Sequence, residues 1–393
     1  LTATSAFAEI TFGAWLRVIT GVGSNGEDVV MGTTNSWGGV RPARLNAAGT
    51  SEDGKAGFKL DFYFENDEIW GHDHDIRIGD NGYLWVKPID QIQLSIGKFD
   101  GGETGLRGDF CYGSWNWLRP FNWIADDEGL TFKGSHKDGL MARITPIDNL
   151  VVLVQLPVMN AKWGGNNAGY VKKTETEDAK NTAADVFKNA AYMASYTIEG
   201  VGTLKAGFFG ADDEKTVEGK KYNQTGTVNV AFDLNAIENL YVTVGAFFDI
   251  ADKEMGEWHE KMKFTAGASY QVSDAMKFSV SGGYVKYMDK CSWLGNKDNA
   301  FGIGAGVDYV IMDGLTLNAD VRYKNVGYGK KGDDGSVSFL AGVVKSVGGN
   351  ASLQAGFQGS TNGCGLVQAD TGIPAVEKDD FVWAIPVGLS VFF

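Results

Sequence analysis

Along much of this chain apolar and polar side chains alternate one for one, over stretches of about ten residues. Successive side chains of an extended strand point to opposite faces, so strict alternation builds a strand with one greasy and one wet wall. In residues 58–65, Phe58, Leu60, Phe62 and Phe64 take one side, and Lys59, Asp61, Tyr63 and Glu65 the other. In residues 315–324, Leu315, Leu317, Ala319, Val321 and Tyr323 oppose Thr316, Asn318, Asp320, Arg322 and Lys324. Residues 261–272 set Met262, Phe264, Ala266, Ala268 and Tyr270 against Lys263, Thr265, Gly267, Ser269 and Gln271. A helical repeat of 3.6 fits none of these.

Between the strands lie short, similar turns: Pro88-Ile89-Asp90, Pro146-Ile147-Asp148-Asn149, Asn235-Ala236-Ile237-Glu238, Val272-Ser273-Asp274-Ala275, Met312-Asp313-Gly314 and Val347-Gly348-Gly349. From Ile237 onward they recur about every 35–39 residues, one hairpin per period. Each period holds two strands, one tight turn and one longer polar connection, such as residues 211–220 and 330–335. Counting places eighteen strands, starting near residues 9, 38, 55, 80, 90, 137, 149, 189, 201, 222, 239, 259, 275, 299, 314, 335, 350 and 380. The second and sixth have the weakest alternation, so sixteen is the alternative.

Composition agrees with an all-β chain. Glycine numbers 54, proline 7, and aromatics make up 12 % of 393 residues. Glycine at that frequency costs a helix about 1 kcal/mol per site but suits bends and crowded barrel interiors. No apolar run reaches the roughly 18 residues of a membrane helix. The longest, residues 150–159, is broken by Gln155 and Pro157. A membrane β-strand needs only about 9–11 residues with every second one apolar. The formal charge of −14 argues against a nucleic-acid partner and fits a surface or channel that gathers cations.

Short turns at one end and long connections at the other, on strands with one apolar face, form a transmembrane antiparallel β-barrel. The short turns then face the periplasm and the long loops the exterior. A soluble β-sandwich or propeller is the competing arrangement; it would turn the apolar faces inward. At the end of the chain, Phe381, Trp383, Ile385, Val387, Leu389, Val391 and Phe393 alternate with smaller or polar partners. This resembles the last strand of Gram-negative outer-membrane porins. Gly97-Lys98-Phe99, closing a strand before a long connection, is similar to porins too. The resemblance implies an outer-membrane channel set in lipid, a homotrimer, and recognition of Phe393 by the barrel-assembly machinery. It also implies that the long connection of residues 100–128 folds into the barrel and narrows it.

That connection carries Arg107, Asp109, Cys111, Tyr112, Trp115, Trp117, Arg119, Phe121 and Trp123. A wide barrel leaves an aqueous hole, so selectivity must come from such a constriction. Arg107, Asp109, Trp115, Trp117, Arg119, Phe121 and Trp123 are the constriction candidates. The tryptophans could equally glue the segment to the wall or sit at the membrane interface. Lys59, Asp61, Glu65, Asp233, Lys263, Asp308, Asp320, Arg322 and Lys324 fall on polar faces and are expected in the lumen.

Other motifs carry less. Gly21-Val22-Gly23-Ser24-Asn25-Gly26 matches the spacing of a dinucleotide loop, but β-branched and acidic residues follow where a helix is needed. His72-Asp73-His74-Asp75 and Asp126-Asp127-Glu128 offer metal-ligand types without further partners, and read as solvated loops. Cys111, Cys291 and Cys364 form no scaffold or C-x-x-C pair. No nucleophile motif stands near His136 or His259, so neither enzyme nor cofactor is expected. Ala6-Phe7-Ala8 fits a secretory cleavage site, making residues 1–8 a signal-peptide remnant ahead of one barrel domain, residues 9–393. The expected function is passive diffusion of ions and small hydrophilic solutes with mild cation preference. A surface adhesin or structural barrel, and a sugar- or nutrient-specific channel, are the alternatives.

Overall fold

The computed structural model describes residues 7–24, 28–34, 43–65, 75–99, 132, 138–158, 182–211, 214–256, 259–292, 296–326, 335–361 and 381–393. The chain opens with β1 (Phe7–Ser24), β2 (Val29–Thr34), β3 (Ala43–Ser51) and β4 (Ala56–Glu65). Next come β5 (Asp75–Ile89), β6 (Ile92–Lys98), β7 (Gly139–Ile144) and β8 (Leu150–Leu156). A short helix α1 (Ala183–Lys188) precedes β9 (Ala191–Ile198) and β10 (Gly202–Gly210). The four-residue β11 (Glu214–Val217) leads into β12 (Lys220–Ile237), β13 (Leu240–Ala251) and β14 (Glu260–Ser273). The series ends with β15 (Met276–Cys291), β16 (Lys297–Met312), β17 (Leu315–Lys324), β18 (Ser336–Ser346), β19 (Ala351–Ser360) and β20 (Val382–Phe392).

Eighteen of these positions form a closed antiparallel ring. β11 pairs only with the start of β12 as a small hairpin. β2 and β3 share one place in the wall: β2 lies against Ile19–Ser24 of β1 and β3 against its lower part, Phe7–Leu16. The second strand is therefore in two pieces and begins earlier than residue 38. β1 starts at Phe7, inside the segment read as a signal remnant, and Phe7 pairs with Ser51. The ring closes where Trp15 meets Phe392 and, eight rungs up, Gly23 meets Ala384. A ring satisfies every ladder donor and acceptor internally, which is the condition for strands to sit in hydrocarbon.

The distribution of exposure decides which face is which. On β17, Val321 is 50 % exposed, while its neighbours Asp320 and Arg322 are 5 % and 4 % exposed. The same inversion runs through β14, where Phe264 is exposed and Lys263 and Thr265 are buried. A water-soluble sandwich hides its apolar face, so that alternative is excluded. Apolar residues wrapped around the outside suit lipid. No helix among the described residues is long and apolar enough to cross a membrane; the strands do the crossing.

Short turns lie at one end of the ring. β12 and β13 join through Glu238-Asn239, and β16 and β17 through Asp313-Gly314. Asn239 and Gly314 take φ values of 64° and 66°, the left-handed conformation such tight turns need. The strand ends from which longer connections leave, such as Gly97 beside Gly139 and Lys324 beside Ser336, lie at the other end. Near that end, outward rings stack in pairs: Phe339 on Phe381 at 6.0 Å and Phe357 on Trp383 at 6.3 Å. Gly359 lies beneath them, and a Cβ there would come within 2.6 Å of the rings of Phe339 and Phe381. Toward the turns, Tyr270, Phe278 and Tyr309 form the opposite aromatic band. Two such bands frame the apolar zone of a membrane barrel.

Candidate pore lining

The inner wall is built by the second residue of every alternating pair. On β3 and β4, Arg44 stands opposite Tyr63, and Asn46 opposite Asp61. The Arg44 guanidinium lies 5.5 Å from the Tyr63 ring centre and ion-pairs with Asp61. Asp61 Oδ2 also accepts hydrogen bonds from the backbone N–H of Asn81 at 3.1 Å and its Nδ2 at 2.8 Å. Asn81 reaches this point through a bulge, in which Leu60 and Phe62 of β4 pair with Gly82 and Ile78 of β5. A buried carboxylate is tolerable only with such partners.

A second charged group lies on β10, β12 and β13. Lys205 Nζ is 2.6 Å from Asp233 Oδ2, and the Thr243 hydroxyl donates to Asp233 Oδ1 at 2.7 Å. Both carboxylate oxygens are thus engaged. Lys263 on β14 is buried on the same face. On β16 and β17, Asn318 Nδ2 donates to Asp308, and Gly306, Gly304 and Gly302 stand opposite Asp320, Arg322 and Lys324. Three glycines in a row leave that part of the wall without side chains beside two cations and an acid.

One inner-wall region is apolar. Met141, Leu153, Ala191, Met193 and Ala231, from β7, β8, β9 and β12, form a buried cluster with Phe99 and Phe132. Phe99 follows β6, and its backbone N–H donates to Asp138 at 3.2 Å. Phe132 lies far along the connection between β6 and β7, is wholly buried, and meets the Phe209 ring edge-on at 6.0 Å. A Cβ at Gly207 would lie 3.0 Å from the Phe132 ring. The long connection therefore touches the inner wall at both Phe99 and Phe132.

Of the sequence-derived lumen charges, Asp61, Asp233, Lys263, Asp320, Arg322 and Lys324 are buried, while Lys59 and Asp308 are half-buried. Glu65 ends β4, and its side chain is outside the described set. Arg107, Asp109, Trp115, Trp117, Arg119, Phe121 and Trp123 lie outside the described residues, as do His72, Asp73, His74 and residues 126–128. Sequence reasoning passed over Arg44, Asn81 and Lys205. Parity with Asn46 exposes Arg44, and parity with Thr203 and Gly207 exposes Lys205, but small residues on both faces hide the alternation there. Among the described residues no cluster of three His, Cys, Asp or Glu side chains could hold a metal ion.

An eighteen-strand ring has a backbone diameter of roughly 35 Å, from 4.8 Å strand spacing and a tilt near 40°. Rings of that size enclose an aqueous channel. Comparison with known proteins agrees. The family model described as Gram-negative porin matches residues 1–328. No curated protein sequence matches. An anion-selective porin from Comamonas acidovorans is similar in fold, with 14 % identity, TM-score 0.54, and coverage of 98 % of this chain and 99 % of that one. OmpF of Salmonella typhi, solved in complex with daunomycin, shares 8 % identity at TM-score 0.53, covering 98 % and 97 % of the two chains. With its ring of strands, its lipid-facing apolar exterior and its charged interior, this chain belongs to the Gram-negative porin family of outer-membrane β-barrels.

Proposed function

We propose that the protein is a passive diffusion pore for ions and small hydrophilic solutes, mildly selective for cations, and performs no catalysis. The observation that carries this reading is the inner wall: charged and amide side chains of both signs, held on a ring wide enough for water. The segment 100–128 is the constriction. Its support is the seating of Phe99 and Phe132 on the inner apolar cluster, which ties the two ends of the segment inside the ring. Arg107, Asp109, Trp115, Trp117, Arg119, Phe121 and Trp123 then sit on the chain that narrows the path.

Cation preference follows from the acidic excess of −14 and from where it lies in the sequence. Asp126-Asp127-Glu128, Asp212-Asp213-Glu214 and Asp379-Asp380 all fall, in the sequence, in or at the edge of the longer connections between strands, and such acidic runs gather cations. On the wall, the Arg44–Asp61 and Lys205–Asp233 pairs cancel locally. The partners in this reading are outer-membrane lipid, small cations, the assembly machinery at Phe393, and two further copies in a homotrimer.

In planar bilayers the purified protein should give stepwise conductance, with a reversal potential on the K⁺ side in a KCl gradient. Absence of steps defeats the pore; a reversal potential on the Cl⁻ side defeats the selectivity alone. A sugar- or nutrient-specific channel is the second reading, favoured by the tryptophans of the connection and by the inner-face rings of Tyr63, Tyr83 and Trp85. It requires oligosaccharide to block the current and Trp117→Ala to relieve the block.

A further inference from the structure

Of the four histidines in the chain, His259 is the one within the described residues, and it stands at the mouth end of the wall, immediately before β14. Its ring turns toward β13, where Nδ1 lies 3.4 Å from Asp249 Oδ2. Asp249 points inward between the outward-facing Phe248 and Ile250. Its side chain is 3 % exposed, against 20 % for the histidine. The other carboxylate oxygen accepts a hydrogen bond from Gln224 Nε2 of β12 at 2.8 Å. Groups from three neighbouring strands thus meet on one carboxylate.

This pair lies at the root of the connection from β13 to β14. The connection begins with Asp252, whose backbone N–H donates to the Asn223 carbonyl at 3.0 Å while its Oδ2 accepts the Asn223 N–H at 2.9 Å. A single 3-10 turn follows, Lys253–Met255, with Met255 buried. The turn lies against β11, β12 and β15, so residues 252–256 reach across strand ends on both sides of their own hairpin. At the far side the His259 carbonyl accepts the Met288 N–H of β15 at 2.8 Å. The connection is therefore folded down on the rim of the channel, and the imidazole sits where it rejoins the wall.

We infer that His259 and Asp249 form an acid-closed latch on residues 252–256, which fixes this connection on the rim when the imidazole is protonated and frees it to move at the channel mouth when it is not. With a neutral imidazole, Asp249 keeps one amide hydrogen bond and the repulsion of the half-buried Glu260. Other charges on the surrounding elements lie in water or are engaged: Lys253, Glu254, Lys261 and Asp289 are exposed, and Lys286 holds Asp298 at 3.2 Å. A proton on His259 places a cation against the buried carboxylate. Histidine changes charge between about pH 5 and 8. A cation gained beside a carboxylate is stabilised by it, so the hold grows as pH falls through that range and fades as pH rises. In stronger acid Asp249 takes up a proton itself and the hold is lost again. One partly exposed ion pair shifts such an equilibrium about fivefold.

A nitroxide at Glu254→Cys reads the connection directly, in a background of Cys111→Ser, Cys291→Ala and Cys364→Ser. In lipid nanodiscs the mobile fraction of its spectrum should fall about fivefold between about pH 8 and about pH 5.5. In His259→Gln it should stay high at both pH values. In His259→Arg it should stay low at both, because a guanidinium is charged throughout. Asp249→Asn should abolish the response as well. A label at Glu238→Cys, in a turn at the opposite end, should not change, and strand circular dichroism verifies that each variant keeps its barrel. This assay needs no current, so its result is separate from that of the pore. In planar bilayers, open-channel noise should be greater at about pH 8 than at about pH 5.5 in the parent, and independent of pH in His259→Gln. No label response in the parent, or one that persists undiminished in His259→Gln, overturns the latch. A label response without a change in noise overturns its action on the channel.

Discussion

Replacing Phe132 by alanine removes the ring that holds the long connection on the inner wall. The side chain is wholly buried, edge-on to Phe209 and in contact range of Gly207. A fully buried phenyl ring hides about 150 Å² or more, worth about 4 kcal/mol at 25 cal/mol per Å². Direct experience with Phe→Ala changes in packed sites gives about 3–5 kcal/mol. The barrel ladders do not involve this residue, so the loss falls on the seating of the connection and not on the ring. At about 1.4 kcal/mol per tenfold, the released state gains roughly three decades in relative population. Single-channel recording should show larger and noisier open current in Phe132→Ala, with smaller changes in Phe132→Leu. Urea unfolding followed by strand circular dichroism should move far less than a 4 kcal/mol barrel defect requires. If conductance and noise match the parent while the unfolding midpoint drops, Phe132 supports the wall alone and the constriction argument fails at its anchor.

Three further outcomes follow from the wall and the loops. Lys205→Met and Asp233→Leu should each destabilise the folded barrel by about 3–5 kcal/mol, and the double variant by much less, since an isolated buried charge costs more than an absent pair; a double-mutant cycle in urea reads this. Asp308→Asn with Asp320→Asn removes two inner-wall acids and should shift the reversal potential toward Cl⁻ without abolishing current. Asp185 caps α1: its carboxylate accepts the Thr182 N–H and hydroxyl at 2.8 Å, which holds its pKa below the ordinary 3.8. A depressed carboxyl pKa stabilises the cap above the ordinary value and loses that contribution as pH falls through the folded one. Amide exchange at Val186 and Asn189 should therefore stay protected near neutral pH, quicken only below about pH 4, and be fast throughout in Thr182→Ala.

Strand positions were legible because parity is a local property: residues 315–324 state their own two faces. Two departures have physical causes. The expected start near residue 80 falls five residues inside β5, because residues 79–82 interrupt the alternation with a bulge that carries Asn81 to Asp61. On the outward face of β3 Leu45 is the one large apolar side chain, beside Ala47 and Gly49, too little apolar surface to mark a strand, so the second wall position was blurred. In the lining, which charges face inward was readable, but not whom they meet. Arg44 pairs with Asp61, and Lys205 with Asp233, across neighbouring strands whose register no local pattern encodes. The apolar seat for Phe132 was hidden for a different reason. Residues 150–156 are apolar on both faces because Leu153 faces Phe132 inside while Val152 and Val154 face outward.

The rungs between β1 and β20 join residues at opposite extremes of the chain, from Trp15 with Phe392 to Ser24 with Trp383. A growing polypeptide thus carries two raw sheet edges until β20 has been made. Hydrocarbon tolerates no such edge, so the growing polypeptide must be kept out of the bilayer and delivered whole. Removing even β20 would leave β1 and β19 each with one open edge, and would cost the molecule its place in the membrane rather than one-eighteenth of its stability.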